Sequence, residues 1–218
     1  MNLLIVKITD KNTRIPKRVI EELFENPLKN GPSPLFVPNK SSVAISASHP
    51  SPRPMIAPVT TPGNVSLNLI GKKVAKNEQE KLVSNILDKF GLGSFKKSYP
   101  HELSGGMKQR VGLARAFVTK PDLVFLDEPF SELDFFTAKS LRDILTAMWK
   151  KYGTTIVMVS HYIDEAVLLS DRIAVFSERP STIMKIFNND LPRPRNHRSE
   201  EFYHIEDEVL ETFESGRK

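Results

Sequence analysis

The chain has 218 residues, 39% hydrophobic and 26% charged, with 31 lysines and arginines against 26 acids and a net charge of +5. That length buries a real core as one domain, or as one domain with an inserted lobe. No run approaches the roughly 18 apolar residues that span a bilayer. The start, Met1-Asn2-Leu3-Leu4-Ile5-Val6-Lys7, is too short and too soon charged for a signal peptide, so a cytoplasmic chain is expected. The absence of cysteine excludes disulfides and thiolate chemistry. The basic residues are scattered, with small groups only at Lys96-Lys97, Lys150-Lys151 and Arg193, Arg195, Arg198, which reads as a solvated face in preference to a nucleic-acid surface.

In chain order, Leu3 to Ile8 predicts a short strand, Thr9 to Ile15 a polar loop, and Pro16 to Phe24 a helix with Val19, Ile20, Leu23 and Phe24 on one side. Strand, loop and helix form the frame of a phosphate-binding P-loop, but not its chemistry. Such a loop uses G-x-x-x-x-G-K-[ST], because glycines let successive N–H groups wrap the phosphates, lysine neutralises them and the hydroxyl holds Mg²⁺. Between Ile8 and Val19 there is no glycine, and Asp10 would repel a phosphate. Lys11 or Lys17 offers charge alone, and an eroded loop that binds no nucleotide is the favoured reading.

More than half of the 16 prolines fall between Asn26 and Gly63, where Val43 to Ser46 predicts a strand and the rest an extended loop. Asn77 to Phe90 places Leu82, Val83, Ile86, Leu87 and Phe90 at helical spacing, a core face, and Gly91-Leu92-Gly93 ends that helix. Tyr99-Pro100-His101-Glu102 leads on, with His101 and Glu102 read as a surface hydrogen-bonding pair.

In Leu103-Ser104-Gly105-Gly106-Met107-Lys108-Gln109-Arg110, Ser104 is a candidate N-cap and the glycine pair lets backbone N–H groups approach an anion at the positive end of a helix. Leu123-Val124-Phe125-Leu126-Asp127-Glu128 is an apolar run ending in two acids, the pattern of a strand buried on both faces that delivers carboxylates at the carboxyl edge of a parallel sheet. Asp127 suits Mg²⁺, and Glu128 suits polarising an attacking water. Thr137 to Tyr152 predicts an amphipathic helix, and Thr154 to Ser160 a second buried, parallel-type strand ending at His161, which can donate to a γ-phosphate. A helix opening at Asp164, a strand over Arg172 to Ser177, and an acidic amphipathic helix over Ser199 to Lys218 complete the pattern.

Leu103 to Arg110 resembles the signature of the ABC family, Leu123 to Glu128 its Walker B strand, Ser131-Glu132-Leu133-Asp134 its D-loop, and His161 its switch histidine. Ser177-Glu178-Arg179-Pro180 and Asp190-Leu191-Pro192-Arg193-Pro194-Arg195 narrow the resemblance to the ATP-binding subunits of nitrate, sulfonate and taurine importers. The likeness covers Pro62 to about Arg195 well and Met1 to Pro58 poorly. Between 26 and 63 the family's Mg²⁺-ligating glutamine is missing. Only Gln79 and Gln109 occur in the chain, and the nearest counterpart is at His49-Pro50.

The resemblance implies an α/β fold, a P-loop NTPase-like parallel sheet flanked by helices with an inserted helical lobe, here truncated at the N-terminal side. The implied divisions are a degenerate core part at 1–61, a helical lobe at 62–120, an ATPase core at 121–198 and a terminal helix at 199–218. In this family two nucleotide-binding domains close head to tail, each ATP held by one chain's phosphate loop and the other's signature. Ser104, Gly105, Gly106, Gln109 and Asp134 are then nucleotide-binding, Asp127 the Mg²⁺ ligand, and Glu128 and His161 catalytic. The implied partners are a second nucleotide-binding subunit and membrane permease subunits, with the chain peripheral on the inner face of the cell membrane and no nucleic acid involved. Three other readings stay open: an active homodimeric ATPase with an unconventional phosphate loop, a nucleic-acid-associated ABC ATPase, and the remnant of a decayed gene.

Overall fold

The computed structural model describes residues 4–8, 42–46 and 60–216, apart from Gly71, Lys73, Glu132 and 179–181. The expected loop and helix over Thr9 to Phe24 lie outside the described residues. The chain forms two compact units, Ser41–Thr154, and Met1–Lys40 with Thr155–Lys218.

In the first unit, β2 (Ser42–Ser46) pairs in parallel with β3 (Leu123–Asp127), Ser42 opposite Leu123 and Ser46 opposite Asp127. Leu123, Val124 and Leu126 are buried, as the apolar run predicts. Four helices accompany the pair. α1 (Thr61–Ser66) carries proline in its first turn, where the missing N–H is harmless. α2 (Lys76–Lys89) buries Val83, Ile86 and Leu87, and the chain turns away through Gly91 at φ +68°. α3 (Gly105–Phe117) buries Val111, Leu113, Ala114 and Phe117, and α4 (Phe135–Tyr152) buries Leu141, Leu145 and Met148 before Gly153 stops it in the left-handed region.

The Phe90 and Phe117 rings meet at 6.3 Å between α2 and α3, and both are fully buried. Each such side chain contributes about 1.5–3 kcal/mol of transfer free energy. Polar ties fix the helices further: Asn68 Nδ2 donates to Arg115 O at 2.9 Å, and Arg110 Nη2 to Ser140 Oγ at 3.1 Å.

In the second unit, β1 (Leu4–Ile8) lies between β4 (Thr155–Ser160) and β5 (Arg172–Phe176) and is antiparallel to both. This corrects the expected P-loop frame. A strand that feeds a phosphate loop runs parallel to its neighbours and releases its loop at their carboxyl edge. Here Leu4 pairs with Ser160, and Ile8 pairs with Ile156 near the start of β4. The partner that β4 has in this unit is therefore antiparallel, despite the parallel-type composition of Thr155 to Ser160.

β6 (Ile183–Asn188), which the sequence pattern did not reveal, pairs antiparallel with β5. Its turn is closed by Ser177 N donating to Thr182 O at 2.9 Å. α5 (Ile163–Leu169) packs beside β1 and β4, and α6 (Glu200–Ser215) lays Phe202, Val209 and Phe213 against α5, β5 and β6.

Two arginines close the carboxyl end of α5. Arg195 donates from Nη1 to Val167 O at 2.9 Å, Leu168 O at 3.1 Å and Ser170 O at 2.6 Å, and from Nη2 to Asn189 O at 2.9 Å. Arg193 donates to Leu169 O at 2.6 Å and pairs with Asp171. Cations and donors at a helix carboxyl terminus satisfy its orphan carbonyls and its dipole together. Burial pulls Arg195 down to about 10, with Arg193 adding to the effect and Asp171 and Asp190 opposing it, so the side chain stays charged at neutral pH.

Candidate functional site

Helix α3 begins at an exposed tip. Ser104 has extended backbone, and its Oγ accepts from Met107 N at 3.3 Å. This is the expected N-cap, and it leaves the first helical amides, those of Gly105 and Gly106, without an intrahelical acceptor. The two glycines differ in their reasons. A Cβ on Gly105 would meet nothing within 4 Å, so the backbone there is open to a ligand. A Cβ on Gly106 would lie 2.6 Å from Thr137 Cγ2, so this glycine lets α3 approach α4 closely.

That contact brings the tip of α3 to the start of α4, because Thr137 stands in the first turn of α4. Asp134 is the N-cap there: its Oδ1 accepts from Phe136 N at 3.1 Å and Thr137 N at 3.0 Å. The Thr137 hydroxyl and the Thr137 and Phe136 amides hold the Asp134 carboxyl below its ordinary 3.8. Phe135 and Phe136 follow, 69% and 79% exposed and edge to face at 5.5 Å.

At the end of β3, Asp127 and Glu128 are both half-buried. Glu128 sits at φ +43°, a left-handed conformation that costs a residue with a Cβ roughly 1–2 kcal/mol. The turn is held from two sides. Ser131 donates to Glu128 O from both N, at 3.3 Å, and Oγ, at 3.1 Å. Gln109, only 8% exposed, donates from Nε2 to Pro129 O at 3.0 Å. Gln109 was expected to touch nucleotide, and the structure gives its amide a different place, behind the acids and on the backbone that carries Glu128.

His161 belongs to the other unit, at the carboxyl end of β4. Its ring lies 4.0 Å from that of Tyr162. Ser160 Oγ accepts from Tyr162 N and donates to the buried Glu165 Oε2, both at 3.1 Å, which fixes the backbone on either side of the histidine. His101 and Glu102, read as a pair, are separately engaged: His101 stacks on Tyr99, and Glu102 accepts from Tyr99 N at 2.6 Å.

Of the expected site residues, the first unit thus gathers Ser104, Gly105, Gly106, Gln109, Asp127, Glu128 and Asp134, and the second holds His161. Among the described residues no group of three or more His, Asp or Glu stands ready to hold a metal. One carboxylate at Asp127 matches the habit of Mg²⁺, which keeps most of its water and takes one or two carboxylates together with substrate phosphates.

Residues 36–131 match the family described as ABC transporter. The chain resembles the ATP-binding subunits of ABC importers. The aliphatic sulfonates import ATP-binding protein SsuB of Bacillus cereus is 48% identical over 57% of this chain and 50% of its own length. The nitrate transport protein NasD of Klebsiella oxytoca is 39% identical over 64% of this chain and 55% of its own. The structure of cbiO1 from Clostridium perfringens, part of the ABC transporter complex cbiONQ, matches with a TM-score of 0.57 and 26% identity over 76% of this chain and 70% of that one. The fold is that of the P-loop NTPase-like ABC ATPases. The chain spans about half the length of the curated relatives it matches. Among its described residues no helix is long and apolar enough to cross a membrane.

Proposed function

We propose that the chain is an ATP-binding subunit of a sulfonate- or nitrate-type importer whose own phosphate loop is degenerate and which lends its signature tip to a partner nucleotide-binding subunit. The observation that carries this reading is the joined set in one unit: the open amides at Gly105, the D-loop cap at Asp134 and the braced turn at Glu128. Asp127 would hold Mg²⁺, Glu128 would take the proton of the attacking water, and Ser104 with Gly105 and Gly106 would meet the partner's triphosphate. His161 would hydrogen-bond the γ-phosphate.

The missing half is read from the sequence. With no glycine between Ile8 and Val19, several charge-assisted hydrogen bonds worth about 1.5–3 kcal/mol each are lost from ATP binding in cis. Permease subunits and the inner membrane face follow from the same resemblance.

Calorimetric titration of the isolated chain with ATP and Mg²⁺ tests the proposal. No micromolar binding is expected alone, and turnover is expected on adding an intact nucleotide-binding subunit with its permease. Micromolar ATP binding by the isolated chain overturns the reading. Turnover by the chain alone that vanishes in Glu128→Gln would establish the homodimeric ATPase instead.

A further inference from the structure

Helix α2 and the carboxyl ends of α3 and α4 enclose a cavity of about 260 Å³ that includes none of the residues of the candidate nucleotide site. Its floor is apolar, with buried Ile86, Phe117 and Val118. Its rim is cationic. Lys81 and Lys89 stand two turns apart on one face of α2, Lys151 comes from the last turn of α4, and Lys120 comes from the turn after α3. Lys120 is set at φ +48°, with its amide donating to Phe117 O at 2.9 Å. Four lysines therefore line one concavity with a single acidic residue, Glu78. Among the described residues, Lys81, Lys89, Lys120 and Lys151 make no ion pair with a carboxylate.

The rim offers donors almost exclusively. Lys89 Nζ donates to the Tyr152 hydroxyl at 2.9 Å and lies 5.4 Å from the centre of its ring. A phenol that accepts from an ammonium keeps its own proton to give outward. Ammonium groups and a phenolic O–H around an apolar floor complement a ligand with several acceptor oxygens, more than one negative charge and a non-polar body. A phosphate monoester brings more acceptor oxygens and more negative charge to these donors than a carboxylate does.

We propose that this cavity binds a phosphorylated organic anion, with its phosphate among the four lysines and its apolar body over Ile86 and Phe117. The same chemistry occurs in a soluble phosphate ester and in the headgroup region of an anionic lipid.

Two arms on the full chain separate these sources: calorimetric titration with phenyl phosphate, and flotation with phosphatidylcholine vesicles with and without phosphatidic acid. Saturable binding of phenyl phosphate identifies a soluble ligand, and capture by the phosphatidic acid vesicles alone identifies the lipid. In either arm the double variant Lys81→Glu, Lys151→Glu is expected to weaken binding about tenfold or more, while Lys139→Glu, a charge reversal of the same kind away from the cavity, leaves it unchanged. Tyr152→Phe, which keeps the ring and removes the donor, carries the same test should the double variant melt early. Absence of saturable binding in both arms, or equal losses in the cavity variant and in Lys139→Glu, overturns the proposal. Neither arm involves ATP, so its result is independent of the nucleotide site.

Discussion

Glu128 shows how a single backbone torsion is held in place by its neighbours. A glutamate in the left-handed region is uncommon outside functional turns, and its strain persists only where neighbours over-determine it. Here Ser131 does so at Glu128 O and Gln109 at the adjoining Pro129 O. Asp134 carries a titration that reads out the adjacent D-loop. Its carboxyl is held below 3.8 by its bonds to Thr137 and Phe136, so the cap's stabilisation is fully present above 3.8 and is lost as pH falls through the folded value. Amide resonances of Phe136 and Thr137, followed by NMR on acidification, are expected to move with a midpoint below the ordinary 3.8. In Asp134→Asn, which keeps the acceptor without the charge, that movement should vanish. A transition of those two amides above the ordinary carboxylate value would contradict the cap.

At the level of elements, the meeting of α3 and α4 rests on the missing side chain at Gly106. Gly106→Ala is expected to cost about 1–3 kcal/mol, because the new methyl lies 2.6 Å from Thr137 Cγ2 in two packed helices. Thr137→Ser removes that methyl and should restore most of the loss, a coupling that a double-mutant cycle on chemical denaturation would measure. Additive effects would show that Gly106 serves another purpose.

The sequence made the long helices legible because their apolar stripes and stop signals agree, as at Val83, Ile86, Leu87 and Gly91, and its apolar run marked β3, which ends on Asp127. It did not reveal β6, whose Ile183-Met184-Lys185-Ile186-Phe187-Asn188 lacks clean alternation and which is held by pairing with β5. Nor did it reveal that Gln109 turns inward or that Arg193 and Arg195 are the cap of α5. The D-L-P-R-P-R tail was recognisable as a pattern, and its physical purpose, closing a row of carbonyls 25 residues or so upstream, depends on contacts distant in sequence.

Across the molecule, the expected site is divided between two units, and each is built by a different rule. The unit of Ser41–Thr154 pairs its two strands in parallel, as the apolar run of β3 foretells. The unit containing β4 and β5 pairs both of them with β1 in the opposite sense, and no short-range signal in Leu4-Ile5-Val6-Lys7-Ile8 specifies that direction. Strand composition records burial, whereas orientation is decided by long-range pairing. Removing residues 1–8 is expected to remove hydrogen-exchange protection from the amides of β4 and β5 that bond to β1, while the amides that β5 shares with β6 keep theirs. Protection unchanged in either would show that β1 is dispensable there.

The heading of that first strand has a cost in reach. Its far end stands opposite Ile156, roughly 14 Å along β4 from Ser160 and the histidine that follows. Ile8 and the partner of Ser160 therefore lie at opposite ends of one ladder, and a group fixed at the first cannot touch an anion resting against the second.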